Sequence, residues 1–142
     1  MTYSIKKNCK QLKKAISQNQ KKEDIFFSFE FLSALEESDC LDADSGWTPN
    51  YLVHETDTVI PFYEKENSHG EFVFDYAWAN AYFRYGQRYY PKLVMSVPFT
   101  PVDGNRIFSK SNETTTLPSG LASFNCFTMF PINLIAKSGE LT

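Results

Sequence analysis

The chain has 142 residues, enough for one modest domain that buries roughly 68–70% of its unfolded surface. Hydrophobic residues make up 42% and aromatics 16%, which argues against global disorder because burial on this scale can offset the ordering entropy. The formal net charge of -3 gives no nucleic-acid footprint, so DNA is not an expected partner.

Met1 to Lys14 carries five lysines and no apolar run of signal-peptide length. No stretch approaches the ~20 apolar residues of a membrane span. Cys9, Cys40 and Cys126 are far apart, odd in number and without CxxC spacing, so a disulfide framework is not expected. A reduced, cytoplasmic location follows as the simpler expectation.

Residues 5–22 read as a basic helix or tail, with Ile5, Leu12 and Ile16 as a thin apolar stripe, and 1–24 is set apart from a domain over 25–142. Ser28 is a predicted cap for a helix from Phe29 to about Ser38, with Phe31, Leu32 and Leu35 on one face. Glu36 and Glu37 fall at its carboxyl end, where the helix dipole disfavours acids. Leu41 to Ser45 is a polar loop, and Gly46-Trp47-Thr48-Pro49 a turn into a strand over 50–55. Asp57-Thr58 turns the chain into a second strand, Val59 to Lys65, with Phe62 and Tyr63 on opposite faces. Pro61 requires a position that needs no ladder donor.

Glu66 to Gly70 is the next loop, and Asp75 to Tyr85 a helix stopped by Gly86, with Ala77, Trp78, Ala81 and Tyr82 on one face. Tyr89 to Phe99 reads as a longer strand with prolines at both ends, and Arg106 to Phe108 as a short one after a turn at 103–105. Residues 111–116 are polar, and Ala122 to Phe130 is an apolar strand candidate. The order is a mixed α/β or α+β pattern with a largely antiparallel sheet.

The two histidines, His54 and His69, are not at helical ligand spacing, and with Glu66 and Glu71 near His69 no recognised ligand set emerges, so no metal is expected. No G-x-S-x-G elbow, GxGxxG or Walker A pattern is present. The chemistry-bearing stretch is Ser68 to Tyr82. In it His69 could serve as a general base, oriented by Glu71 or Asp75. The plainer alternative has Asp75 capping the helix, Trp78 and Tyr82 in the core and His69 in a solvated loop. In a second stretch, Tyr89 to Pro101, Lys92 is either an anion-binding cation or a surface lysine on a strand edge.

The blocks Phe31 to Ser38, Gly46 to Pro49, Ser68 to Tyr82, Tyr89 to Leu93 and Val97 to Val102 resemble the FemAB-like proteins, GNAT-related proteins of peptidoglycan biosynthesis or recognition, across about residues 26–108. The resemblance implies a GNAT-like fold of α/β (α+β) class, a largely antiparallel sheet flanked by helices, which this length leaves incomplete. It implies transfer of an acyl or aminoacyl group to a small-molecule or peptide amine. Acyl-coenzyme A or aminoacyl-tRNA would be the co-substrate, with no permanently bound cofactor. It places His69, Glu71, Asp75 and Tyr82 near the chemistry, with Trp78, Tyr89, Lys92 and Thr100 lining the site. Residues 114–118 disfavour the helix that the family carries there, and the Q/R-x-x-G-x-G/A coenzyme loop is missing. The alternative is therefore an inactive half-domain that binds ligand, associates with itself or is completed by a second-half partner.

Overall fold

The computed structural model of the chain describes residues 3–20, 24–54, 58–72, 74–102 and 107–109, and the backbone alone of 128–131. In chain order these form β1 (Tyr3–Lys6), a 3-10 turn (Cys9–Leu12), α1 (Lys13–Asn19), a second 3-10 turn (Ile25–Phe27), α2 (Phe29–Glu37), β2 (Trp47–His54), β3 (Thr58–Lys65), α3 (Tyr76–Arg84), β4 (Lys92–Met95) and β5 (Thr128–Pro131). The strands make one sheet in the order β1-β2-β3-β4-β5, every neighbouring pair antiparallel. The expected α+β class with an antiparallel sheet and flanking helices is what the chain adopts.

The basic amino-terminal segment is not one helix. Tyr3–Lys6 extends along β2, pairing Tyr3 with His54 and Lys6 with Tyr51. Asn8 then restarts the chain, its side chain accepting from the Lys10 amide at 2.7 Å to cap the 3-10 turn. Cys9, Leu12 and Ile16 become the buried stripe, while Ile5 stays on the exposed strand. Ser28 caps α2 as expected, accepting from the Phe31 amide at 3.1 Å. The buried face of α2 is Phe29, Leu32 and Ser33, with Phe31 and Leu35 half-buried at its margin.

The turn at Gly46 is tighter than its sequence suggests. Gly46 sits at φ +69°, and β2 starts at the very next residue, Trp47. Pro49 and Pro61 both lie inside strands. β1 pairs only with Tyr51–His54 of β2, and β4 only with Tyr63–Lys65 of β3. Each proline thus occupies a stretch whose other edge carries no ladder, where a missing N–H is tolerated. β4 covers only Lys92–Met95 of the expected strand 89–99, because Pro91 and Pro98 supply no ladder donor and Phe99 turns into positive φ (57°). Phe108 makes an isolated antiparallel bridge to Val59. The expected turns at 57 and 103–105, the polar stretch 111–116 and the start of the strand candidate at 122 lie outside the described residues.

The core lies on one face of the sheet. α1 and α2 cover Tyr51, Val53 and Val59, joined by Cys9, Ile16, Phe27 and Leu32. A smaller cluster of Trp47, Tyr63 and Val94 fills the other end. Since paired residues in an antiparallel sheet share a face, the pairings Trp47 with Lys65 and Lys65 with Lys92 set these three side chains in one row across β2, β3 and β4. All three are fully buried. The helices do not cover this row; the loop between β3 and α3 does. α3 itself departs from expectation. Its face of Ala77, Trp78, Ala81 and Tyr82 is not packed into the core, no residue of the helix is fully buried, and Trp78 is 67% exposed.

Candidate functional site

The loop from Glu66 to Asp75 folds over the Trp47–Lys65–Lys92 row and delivers its polar groups to the two lysines. The Lys92 Nζ donates to Glu71 Oε2 at 2.7 Å, Asp75 Oδ2 at 2.5 Å and Ser68 Oγ at 2.9 Å. These three acceptors match the three protons of an ammonium. The Tyr89 hydroxyl donates to the same Asp75 oxygen at 2.6 Å, and the Ser68 and Tyr90 hydroxyls share a hydrogen bond of 2.6 Å. Both tyrosine rings flank the Lys92 ammonium, with centroids 5.5 and 5.6 Å away.

Asp75 precedes α3 but does not cap it. Its side chain makes no cap bond, because the carboxylate is drawn inward to Lys92 and Tyr89. Each carboxylate spends one oxygen on Lys92. The other, Glu71 Oε1 and Asp75 Oδ1, is buried with no hydrogen-bond partner among the described residues. A buried unpaired carboxylate oxygen is costly, so one on each of the two partners of Lys92 marks a place built to accept donors.

The two carboxyls titrate in opposite directions. Burial raises Glu71 above its ordinary value, and the Lys92 hydrogen bond only partly offsets it. Burial presses Asp75 the same way, but the hydrogen bonds from Lys92 and Tyr89 and the nearby Ser68 hydroxyl together outweigh it and hold the carboxyl low. Environments that drive two neighbouring acids apart are the pattern of an acid–base pair. The phenol of Tyr89 is raised by burial and by its bond to Asp75, so it stays a donor.

Lys65 is held differently. Its Nζ donates to the Ser45 carbonyl at 3.1 Å and to Asn67 Oδ1 at 2.9 Å, and lies 4.4 Å from the Trp47 ring centroid. It has no ion pair with a carboxylate among the described residues. Burial lowers its pKa to about 8, with the positive charge of Lys92 adding and Glu71 opposing.

Of the residues singled out in the sequence, the fold brings together Glu71, Asp75, Tyr89 and Lys92. Tyr82 packs its ring edge-on against Tyr89 at 5.3 Å, one step removed from the network. His69 is exposed; its amide donates to Asn67 Oδ1 at 2.9 Å, and its imidazole takes no part in the lysine network. Trp78 points to solvent, and the Thr100 hydroxyl donates to the Pro98 carbonyl. Sequence reasoning missed Lys65, Ser68, Tyr90 and Trp47. Alternation along β3 carried a signal for Lys65, since Val59, Pro61 and Tyr63 all turn inward two residues apart.

A buried lysine bridging two carboxylates under the loop of an α+β domain defines a polar site inside an otherwise apolar face. Residues 6–126 match the FemAB-like family, described by its role in peptidoglycan biosynthesis/recognition. The chain belongs to that family, and the match extends on both sides of the blocks that carried the resemblance. No curated protein and no solved structure matches the chain. Among the described residues no helix is long and apolar enough to cross a membrane.

Proposed function

We propose that the chain is an N-acyltransferase of peptidoglycan biosynthesis, which moves an acyl or aminoacyl group onto an amine held at the Glu71–Asp75 pair. The observation that carries this is the pair of buried, unpartnered oxygens, Glu71 Oε1 and Asp75 Oδ1. An ammonium has protons to satisfy both, and its charge is welcome beside two carboxylates that share a single lysine. Asp75, held low, stays ionised and anchors the amine. Glu71, raised by burial, takes a proton from it. The freed lone pair attacks the acyl carbon of a thioester or ester donor, acyl-coenzyme A or aminoacyl-tRNA. A C–N bond forms and the C–S or C–O bond breaks; the proton on Glu71 passes to the leaving group, and the second proton that the nitrogen sheds on becoming an amide goes to solvent.

Lys92 is a positioning residue in this scheme, since its three contacts leave it nothing to donate to substrate. Glu71 rather than His69 holds the base position, because the His69 imidazole shares no bond with Lys92, Glu71 or Asp75 among the described residues.

One observation favours a second reading, recognition without turnover. Lys92, Glu71 and Asp75 are no more than 2% exposed, so the pair serves chemistry only if the loop admits substrate. The test is incubation of the chain with donor and a peptidoglycan-precursor peptide amine, read by mass spectrometry. Amide product, reduced about 100-fold or more by Glu71→Gln, is expected. Unchanged turnover in that variant overturns the base assignment. Saturable amine binding without product in the wild type establishes recognition instead.

A further inference from the structure

Beside the lysine–carboxylate network, the same row holds two donors that the proposed acyl transfer does not use. Trp47 is fully buried, and its indole Nε1–H has no hydrogen-bond partner among the described residues. The Lys65 ammonium lies over that same indole, and its acceptors among the described residues are the neutral Ser45 carbonyl and Asn67 amide oxygen. A buried cation with no carboxylate in contact and a buried N–H with no acceptor among the described residues, on one aromatic ring, form an acceptor-deficient position next to the acceptor-rich Glu71–Asp75 pair.

Gly70 and the Phe99 ring lie over this position. A Cβ placed on Gly70 would lie 3.4 Å from Trp47 Nε1 and 2.7 Å from the Phe99 ring. Glycine therefore leaves room for the Phe99 ring to pack tilted against the Trp47 ring, with ring centroids 5.6 Å apart. Phe99 is 41% exposed and has a φ of 57°, a backbone conformation that costs a non-glycine residue of order 1 kcal/mol or more. It is bound to Gly70 by one backbone hydrogen bond of 3.2 Å. A half-exposed ring on strained backbone is cheap to displace, and displacing it opens space beside the Trp47 ring.

We propose that Lys65 and the Trp47 indole N–H form a subsite for a carboxylate group, roofed by Phe99. A carboxylate carries one negative charge and two coplanar oxygens, matching one ammonium and one N–H. A phosphate would bring close to a second negative charge that nothing in the row neutralises. Burial lowers the Lys65 value more than the charge of Glu71 restores it, as for a cation with no carboxylate in contact. The subsite stands whether or not the neighbouring pair performs acyl transfer, and its test reads binding, not turnover.

The chain has two tryptophans, so its indole N–H signals are two, and Trp78→Phe assigns them. Titrating the 15N-labelled chain with acetate should shift the Trp47 indole signal saturably, while acetamide and inorganic phosphate at equal concentration leave it in place. Lys65→Met should weaken acetate binding at least tenfold, and Lys65→Arg should retain it. Trp47→Phe, which keeps the ring and removes the N–H, should reduce the acetate-dependent rise in Tm. A Trp47 signal indifferent to acetate, a shift that survives Lys65→Met, or tighter binding of phosphate than acetate overturns the subsite.

Discussion

Lys92 is the residue on which the site depends. It is fully buried, and it stands between two carboxylates that would otherwise face each other out of water. Removing one member of a buried ionic group leaves uncompensated charge, which costs about 3–5 kcal/mol. Lys92→Met should therefore destabilise the fold by that amount at neutral pH, read from urea midpoints. The pH dependence follows from the shifts. Glu71 is already raised in the folded protein, so its contribution to stability is present at acid pH and lost as pH climbs through its folded value. Asp75 runs the other way, because its folded value is depressed by Lys92, Ser68 and Tyr89. Without Lys92 the leading hydrogen bond that holds Asp75 down is gone, and burial then pushes both carboxyls upward. The deficit of Lys92→Met should shrink as pH falls from 7 toward the ordinary carboxylate range. An equal deficit at both pH values would mean that the lost packing of the lysine stem, not its charge, sets the cost.

At the scale of the element, α2 shows which parts of the structure were legible in the sequence. Its start was, because Ser28 and the Phe31 amide that it accepts from are three residues apart. The two acids at its end were not. Glu36 accepts from the Cys9 amide at 3.1 and 3.2 Å and from the Tyr51 hydroxyl at 2.6 Å, partners 27 and 15 residues away. Glu37 pairs with Lys10 at 3.1 Å on the surface. The dipole penalty on Glu36 is thus offset by tying the amino-terminal turn and β2 to the helix. The neighbouring Cys9 thiol is pushed up to about 12 by burial and by Glu36, so it stays protonated. Ser28→Ala should cost about 1 kcal/mol. Glu36→Ala should cost more, about 2–3 kcal/mol, because it leaves the Cys9 amide and the Tyr51 hydroxyl buried without an acceptor. Both are read from urea midpoints, and equal losses would contradict the tying role. The same logic explains the site. Glu71 and Asp75 were visible as a local carboxylate pair, but Lys65 and Trp47 join Lys92 only through strand register, which local pattern does not specify. A lysine in a strand reads as exposed by default, and here two of them turn inward.

At the scale of the molecule, one end of the sheet face is covered by α1 and α2 and the other by the loop over the lysine row, while α3 stands outside both. Tyr82 is its main anchor, packing on Tyr89. On either side of Tyr82 run two aromatic ridges, Trp78 with Tyr85 and Tyr76 with Phe83, each spaced i, i+7. All four are more than half exposed, and Phe72 and Phe74 just before the helix extend the patch. The apolar arc of α3 is therefore wider than the surface it rests on, which is why its sequence face suggested burial that the fold does not provide. An exposed aromatic patch of this extent drives association in water. The isolated chain should sediment with a concentration-dependent mass, and Trp78→Ser combined with Phe83→Ser should return it to the monomer. Because those side chains contribute little to the folded core, Tm of the double variant at low protein concentration should stay close to wild type. A wild-type chain that remains monomeric across the concentration range would show that the two ridges are tolerated by solvent. A double variant that unfolds would show that α3 supports the core through them after all.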